Sequence, residues 1–122
     1  MKTCLVVDDS RVVRKVAGRI IENLSFEIDE AGDGAEALKK CRESMPDAIL
    51  LDWSMPVMNG LDFLKALRRE DGGDKPVVVF CSSETKAEHI REALSFGANE
   101  FIMKPFDADI VKSKFELAGL LA

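Results

Sequence analysis

The chain has 122 residues, of which 47% are hydrophobic and 32% are charged, a composition typical of one soluble globular domain. Its formal charge of -5 argues against nonspecific nucleic-acid binding, which needs a basic surface. The longest apolar runs have about five residues, against the roughly 20 needed to cross a bilayer, and no signal-peptide pattern opens the chain. We therefore expect a cytoplasmic protein with no nucleic-acid or membrane partner.

Apolar runs predict strands at Cys4–Val7, Phe26–Ala31, Ala48–Leu51, Val77–Cys81 and Phe101–Met103. The second alternates apolar and polar residues. The other four are continuous apolar runs, as in a parallel sheet that is buried on both faces.

A helical pattern follows each strand. In the first helix, apolar residues recur at the spacing of one buried face: Val12, Val13, Val16, Ala17, Ile20, Ile21 and Leu24. The fourth helix is expected to turn Ala87, Ile90 and Leu94 inward. Residues suited to cap the second, fourth and last helices are Asp33 with Glu36, Thr85 with Glu88, and Asp107 or Asp109.

Strict alternation of strands and helices predicts a (βα)5 doubly wound α/β fold, with a five-stranded parallel sheet and helices on both faces. The carboxyl ends of parallel strands meet at one edge, where such folds bind ligands. Polar residues follow four of the predicted strands: Asp8 with Asp9, Asp52, Ser82 with Ser83, and Lys104.

Three aspartates at one edge would repel each other, by roughly 4 kcal/mol for two charges 4 Å apart at an effective dielectric constant near 20. A divalent cation relieves this repulsion, and carboxylate oxygens are ligands that suit Mg2+. A simpler interpretation is that Asp8 and Asp9 cap the first helix. It accounts for one aspartate, but not for the pair together with Asp52 and Lys104.

The three cysteines, Cys4, Cys41 and Cys81, are widely spaced, and we expect them to be buried and reduced. His89 is the only histidine. It stands among charged residues, which predicts the solvated face of the fourth helix and disfavours a Ser-His-Asp triad.

From Thr3 to its end, the chain resembles the receiver domain of two-component response regulators, above all the single-domain chemotaxis (CheY-like) type. The motifs that carry the resemblance are Val7-Asp8-Asp9, the segment LDWSMPVMNG from Leu51 to Gly60, Ser82, and Lys104-Pro105-Phe106. The resemblance implies the flavodoxin-like strand order 2-1-3-4-5. It also implies one receiver domain over residues 1–122, without an output domain.

The resemblance makes Asp52 the acceptor of a phosphoryl group from a phosphohistidine on a sensor histidine kinase or a histidine phosphotransferase. Mg2+ would be bound by Asp52, directly by Asp9, through water by Asp8 and by the backbone carbonyl of Ser54. Lys104 and the metal would offset charge on the phosphoryl oxygens. The protein would thus catalyse only its own phosphorylation and dephosphorylation.

Ser82 and Phe101 stand at the switch positions of the family. The Ser82 hydroxyl would donate to the phosphoryl group, whereas Phe101 lacks the polar group of the usual Tyr or His and could act only through packing. A simpler role remains open for each residue. Ser82 could cap the fourth helix, and Phe101 could be an ordinary apolar strand residue. Ser54 and Glu84 stand where the family tunes the access of water to the acyl phosphate, and a cis peptide is implied before Pro105.

The favoured function is a stand-alone phosphorylation switch that binds a protein partner through the face of the fourth helix, fifth strand and last helix. A small aspartyl-phosphate phosphatase or phosphotransferase is an alternative, but Ser54 stands where the second catalytic aspartate would be. A phosphate-independent docking module is a further alternative. Flavin binding is disfavoured because the first strand is followed by two aspartates and not by a phosphate-binding loop.

Overall fold

The computed structural model describes residues 1–83 and 86–121. Within them, strands and helices alternate as predicted: β1 (Lys2–Val7), α1 (Arg11–Glu22), β2 (Phe26–Ala31), α2 (Gly34–Glu43), β3 (Ala48–Leu51), α3 (Gly60–Arg69), β4 (Val77–Ser82), α4 (Ala87–Ser95), β5 (Glu100–Met103) and α5 (Ala108–Leu117). The cap predicted at Thr85 and the tuning residue Glu84 lie outside the described residues.

The strands of the described chain form one five-stranded sheet in the order β2-β1-β3-β4-β5, and every pairing in it is parallel. The doubly wound fold and the predicted strand order are therefore confirmed. In this order β1 and β3 are neighbours near the centre of the sheet, and β5 forms one edge.

Side chains of each strand alternate between two hydrophobic layers, because successive residues of a strand point to opposite faces. Leu5 and Val7 belong to the layer covered by α2, α3 and the small residue Ala93 of α4. Cys4 and Val6 belong to the layer on the other face, together with buried residues of α1 and α5. Helices therefore cover both faces of the sheet, as the alternation predicted.

The three cysteines are free thiols and all are buried, as predicted. Burial raises the pKa of Cys4 and of Cys81 to about 12, and that of Cys41 to about 11. These thiols are therefore protonated at neutral pH and act as small apolar core residues.

The predicted inner face of α1 is wrong at Val12 and Val16, which are 72% and 49% exposed. At about 100° per residue, the seven apolar positions extend over roughly half of the helix circumference. The helix buries the side around Ala17 and Ile21, so the two valines at the opposite margin face solvent. Leu24 lies beyond the end of the helix but packs against the same core layer.

The predicted inner face of α4 is also wrong in part. Ala87 is exposed, Leu94 is 48% exposed and Ile90 is half-buried, whereas Ala93 is the buried residue of this helix. His89 is half-buried and not solvated, because its ring stacks on Trp53. The side of α4 that packs on the protein is therefore formed by Ala93 and the His89 ring. The spacing of large apolar residues does not reveal it.

Two of the predicted caps are confirmed. The Asp33 side chain accepts the N–H of Glu36, and the Asp107 side chain accepts the N–H of Ile110. No helix in the described part of the chain is both long and apolar enough to cross a membrane.

Gly60, the first residue of α3, marks a close approach of the backbone to the end of β3. A Cβ atom added there would overlap the carbonyl oxygen of Asp52 and lie 2.9 Å from Cε1 of Phe80. The Gly60 N–H also donates to the carbonyl oxygen of Trp53 at 2.9 Å. The absence of a side chain therefore allows α3 to begin directly behind Asp52.

We predict that Gly60→Ala lowers the free energy of unfolding by about 1–3 kcal/mol, because the new methyl group forces α3 away from the strand end. Gly18→Ala is the matched control, since its Cβ would lie 3.5 Å from Ile28, an ordinary contact. It should raise stability by about 0.5–1 kcal/mol through helix propensity. Urea unfolding followed by circular dichroism measures both, and equal stabilities would contradict the close approach.

Candidate functional site

The three predicted carboxylates lie together at the carboxyl edge of the sheet. Asp8 and Asp9 follow β1 and Asp52 follows β3, and the register pairs Val7 with Leu51 directly before them. One carboxylate oxygen from each aspartate lies within 4.8 Å of the others. Asp8 and Asp52 are only 3% and 7% exposed, whereas Asp9 is exposed.

The first helix is capped by Ser10, whose side chain accepts the N–H of Val13 at 3.3 Å. Asp8 instead uses its carboxylate within the cluster, where Oδ1 accepts the N–H of Ser10 at 2.9 Å. The simpler interpretation of these aspartates as caps is therefore not what the structure shows, and their carboxylates face the site.

Lys104 provides the positive charge of the cluster. Its Nζ donates to Oδ2 of Asp8 at 2.7 Å and lies 3.4 Å from Oδ1 of Asp52. The lysine follows the edge strand β5, so its side chain reaches across the ends of β4 and β3. Its own N–H donates to the carbonyl oxygen of Ser82 at 2.9 Å, and the peptide bond to Pro105 is cis, as the resemblance implied.

Burial, followed by the charge of Asp8, raises the pKa of Asp52 to about 6, despite the attraction of Lys104. Burial lowers the pKa of Lys104, but its bond to Asp8 and the charges of Asp52 and Asp8 outweigh this and raise it. Because the pKa of Asp52 is raised despite Lys104, one ammonium does not compensate the negative charge of the three carboxylates. The remaining negative charge and the oxygen donors fit a hard divalent cation such as Mg2+.

The other predicted site residues take different positions around this cluster. Ser82 ends β4 at the same edge and is 3% exposed. Ser54 is exposed on the loop after β3. Trp53 is half-buried, and its backbone N–H donates to Oδ1 of Asp52 at 2.8 Å.

Aromatic rings connect the surroundings of Asp52 with two other elements. Phe80 of β4 lies between Trp53 and Phe101, with ring centroids 5.2 Å and 6.3 Å away. The ring of His89 stacks on Trp53 with centroids 5.2 Å apart and an interplanar angle of 22°. The sequence carries no signal for this last contact, because nothing in the spacing of residues 53 and 89 indicates that they meet.

The loop between β3 and α3 contains a strained turn at Val57. Its φ angle is 69°, and the N–H of Met58 donates to the carbonyl oxygen of Pro56 at 2.7 Å, which defines a γ-turn. A β-branched residue rarely adopts this conformation. The turn is held because the carbonyl oxygen of Met58 accepts the N–H of Gly34 at 2.9 Å, and it leaves Val57 84% exposed on the loop after β3.

The chain belongs to the response regulator receiver domain family, whose model matches residues 4–116. It is 38% identical over 120 residues to the chemotaxis protein CheY of Listeria monocytogenes, covering 98% of this chain and 99% of that protein. As a CheY-type receiver domain, it is a two-component signalling protein and not a classical enzyme.

Solved structures show the same similarity. CheY4 of Vibrio cholerae superposes with a TM-score of 0.90 at 31% identity, covering 95% of this chain and 97% of that one. CheY in a complex with CheX, BeF3 and Mg2+ from Borrelia burgdorferi has a TM-score of 0.87 at 32% identity, covering 93% and 85%. The resemblance found in the sequence is thereby confirmed.

We predict that Asp52→Asn stabilises the metal-free protein at pH 7.5. The pKa of Asp52 is about 6 in the fold, against about 3.9 in an unfolded chain. Ionised Asp52 therefore costs stability, by an amount that is absent below about pH 4 and complete above about pH 6. The variant should gain about 1–3 kcal/mol at pH 7.5 and nothing near pH 4.

Urea unfolding in EDTA across this pH range measures the effect. Asp29→Asn is the control. Burial pushes the pKa of Asp29 up, but hydrogen bonds from Lys40 and from the N–H of Glu30 outweigh it and lower the pKa. Its ionised form is stabilising, so Asp29→Asn should lose stability at pH 7.5. No gain, or a loss of stability, for Asp52→Asn at pH 7.5 would contradict the unfavourable charge at Asp52.

Proposed function

We propose that this chain is a phosphorylation switch that accepts a phosphoryl group on Asp52 and then changes its binding to a protein partner in trans. The donor is a phosphohistidine of a sensor histidine kinase or a histidine phosphotransferase. The observation that carries the proposal is the cluster of Asp8, Asp9 and Asp52, two of which, Asp8 and Asp52, contact the Lys104 ammonium. This set suits phosphoryl transfer, which depends mainly on positioning and electrostatics.

In the transfer step, a carboxylate oxygen of Asp52 bonds to phosphorus while the bond between phosphorus and the donor imidazole nitrogen breaks. The nitrogen leaves with the electron pair. The Trp53 N–H on Oδ1 fixes the orientation of the carboxylate. Lys104, which lies 3.4 Å from the same oxygen, would offset charge on the transferred group.

Mg2+ would be held by Asp9 directly, by Asp8 through water, by Asp52 and by the backbone carbonyl of Ser54. The bound metal offsets charge on the phosphoryl oxygens. The oxygen donors of the cluster support this choice, as does the similar Borrelia burgdorferi CheY, whose complex contains BeF3 and Mg2+.

Hydrolysis of the acyl phosphate by water would return Asp52 and release inorganic phosphate, so that the protein dephosphorylates itself. Ser54 is exposed beside Asp52, and its small side chain leaves a path for water. Glu84 is the second residue that we propose to tune this step.

The first test is incubation with a small acyl phosphate and Mg2+, followed by intact-mass measurement. The wild type should gain one phosphoryl group that base removes. Asp52→Asn should abolish the gain, and Asp9→Ala should slow it strongly because the metal loses a direct ligand. Asp62→Asn is the control, since this exposed aspartate of α3 is not among the clustered carboxylates. Phosphorylation of Asp52→Asn at the wild-type rate would refute Asp52 as the acceptor.

The switch is proposed to use Ser82 and Phe101. Movement of the Ser82 hydroxyl towards the phosphoryl group vacates volume near the half-buried Phe101 ring, which stacks on Phe80. Packed interiors favour discrete alternatives, so this ring is suited to two positions.

The partner would contact the face of α4, β5 and α5, which carries large exposed apolar residues. Leu94, Met103, Ile110 and Leu117 are 48%, 54%, 41% and 70% exposed. A partner shifts the equilibrium only if its contacts differ between the two states of the switch.

The second test uses BeF3 with Mg2+ as a mimic of the phosphoryl group. Backbone NMR shifts should extend from the cluster through α4, β5 and the start of α5. Ser82→Ala should confine them to the cluster, because the hydroxyl that moves is lost, whereas Ser83→Ala, at the exposed neighbouring residue, should not. Phe101→Ala should leave the rate of Asp52 phosphorylation nearly unchanged. Shifts confined to the cluster in the wild type would refute this route, and another surface, such as that of α1, would have to carry the signal.

A further inference from the structure

Arg14 of α1 turns back onto the loop that carries Asp8 and Asp9. Its Nη1 donates to the backbone carbonyl oxygen of Asp8 at 2.7 Å, and its Nε donates to Oε1 of Glu30 at 2.9 Å. The two side chains are only 18% and 27% exposed. A largely buried guanidinium therefore links the acidic loop to the strand β2.

We propose that Arg14, held by Glu30, is a positioning residue for the Mg2+ site, because it fixes the backbone from which Asp8 and Asp9 present their carboxylates. The inference depends on the proposed function for the identity of the metal. It adds two residues that neither the motifs nor the carboxylate cluster include.

The contacts of Asp8 explain why this backbone position matters. Its N–H donates to the carbonyl oxygen of Ala31 at 3.1 Å, and its carboxylate oxygens accept from Ser10 and Lys104. Arg14 holds the remaining polar group, the carbonyl oxygen. Because Ala31 follows Glu30 in β2, Asp8 is tied to this strand twice, once through its N–H and once through Arg14.

An arginine suits this position because its planar guanidinium can donate to two acceptors at fixed angles, which a lysine ammonium does not reproduce. Lys15 provides a comparison in the same helix. It also pairs with Glu30, at 2.7 Å through Oε2, but its side chain is 56% exposed. Hydrogen bonds from Lys15 and from Arg14 lower the pKa of Glu30, so the carboxylate stays ionised as their shared acceptor.

Replacement of Arg14 would change the Mg2+ affinity in opposite directions, depending on whether the arginine acts through its charge or through positioning. A cation near the site repels Mg2+, so loss of its charge alone would strengthen metal binding. Loss of an outer residue that orients metal ligands typically weakens binding 10- to 100-fold. The direction of the change therefore distinguishes the two effects.

The experiment is titration of the metal-free proteins with Mg2+ alone, by calorimetry and by Trp53 fluorescence. Arg14→Met should raise the Kd about tenfold, and Arg14→Lys should raise it although the charge is kept. Lys15→Met removes the same charge without touching Asp8 and should leave the Kd unchanged or lower it. The double variant Arg14→Met/Glu30→Gln keeps the net charge and should also bind more weakly.

Unfolding free energies are measured in parallel, at temperatures where all variants are folded. If Arg14→Met does not fold, Arg14→Lys decides the question. A Kd for the arginine variants equal to or below that of the wild type would overturn the positioning role. No Mg2+ binding by the wild type would instead refute the metal site of the proposed function, so the two failures are distinguishable.

Discussion

The repulsion among three carboxylates at one sheet edge is the constraint on which the rest of this site depends. Strand order brings these carboxylates together, because β1 and β3 are neighbours and each is followed directly by aspartate. Burial strengthens it, since two of the carboxylates are almost inaccessible to water. Lys104 offsets only part of the charge. The fold therefore holds excess negative charge at this edge of the sheet.

Several features outside the cluster keep this unfavourable arrangement in place. Ser10 caps α1 and leaves the aspartates available, and Gly60 lets α3 pack directly behind Asp52. The γ-turn at Val57 has a strained backbone, because its φ angle is positive. Such a conformation persists only where surrounding contacts hold it, here the hydrogen bond from the Gly34 N–H to the Met58 carbonyl oxygen. Such strain costs of order 1–3 kcal/mol, so the stability of the two core layers supports the site.

The strands and the site carboxylates could be predicted from the sequence because both depend on patterns within a few neighbouring residues. A buried apolar run identifies a strand, and parallel topology then collects the residues that follow each strand. Which side of a helix is buried depends on its neighbours, so the sequence does not reveal that Val12, Val16, Ala87 and Leu94 face solvent. The contacts of Trp53 with His89 and of Arg14 with Asp8 join different elements or loops. No repeating pattern in the sequence indicates that these residues meet. These contacts depend on side-chain direction, which only the packed structure defines.

The same electrostatics suggests how phosphorylation would drive a conformational change. A phosphoryl group brings about two negative charges and several strong acceptor oxygens, into a site where one ammonium is already shared by Asp8 and Asp52. The new oxygens would compete for Lys104 and recruit further donors. Ser82 is a buried hydroxyl at this edge, and the N–H of Lys104, which follows β5, donates to the Ser82 carbonyl oxygen. Any redistribution of these donors would therefore act on β4 and β5 together, whose rings Phe80 and Phe101 pack against each other.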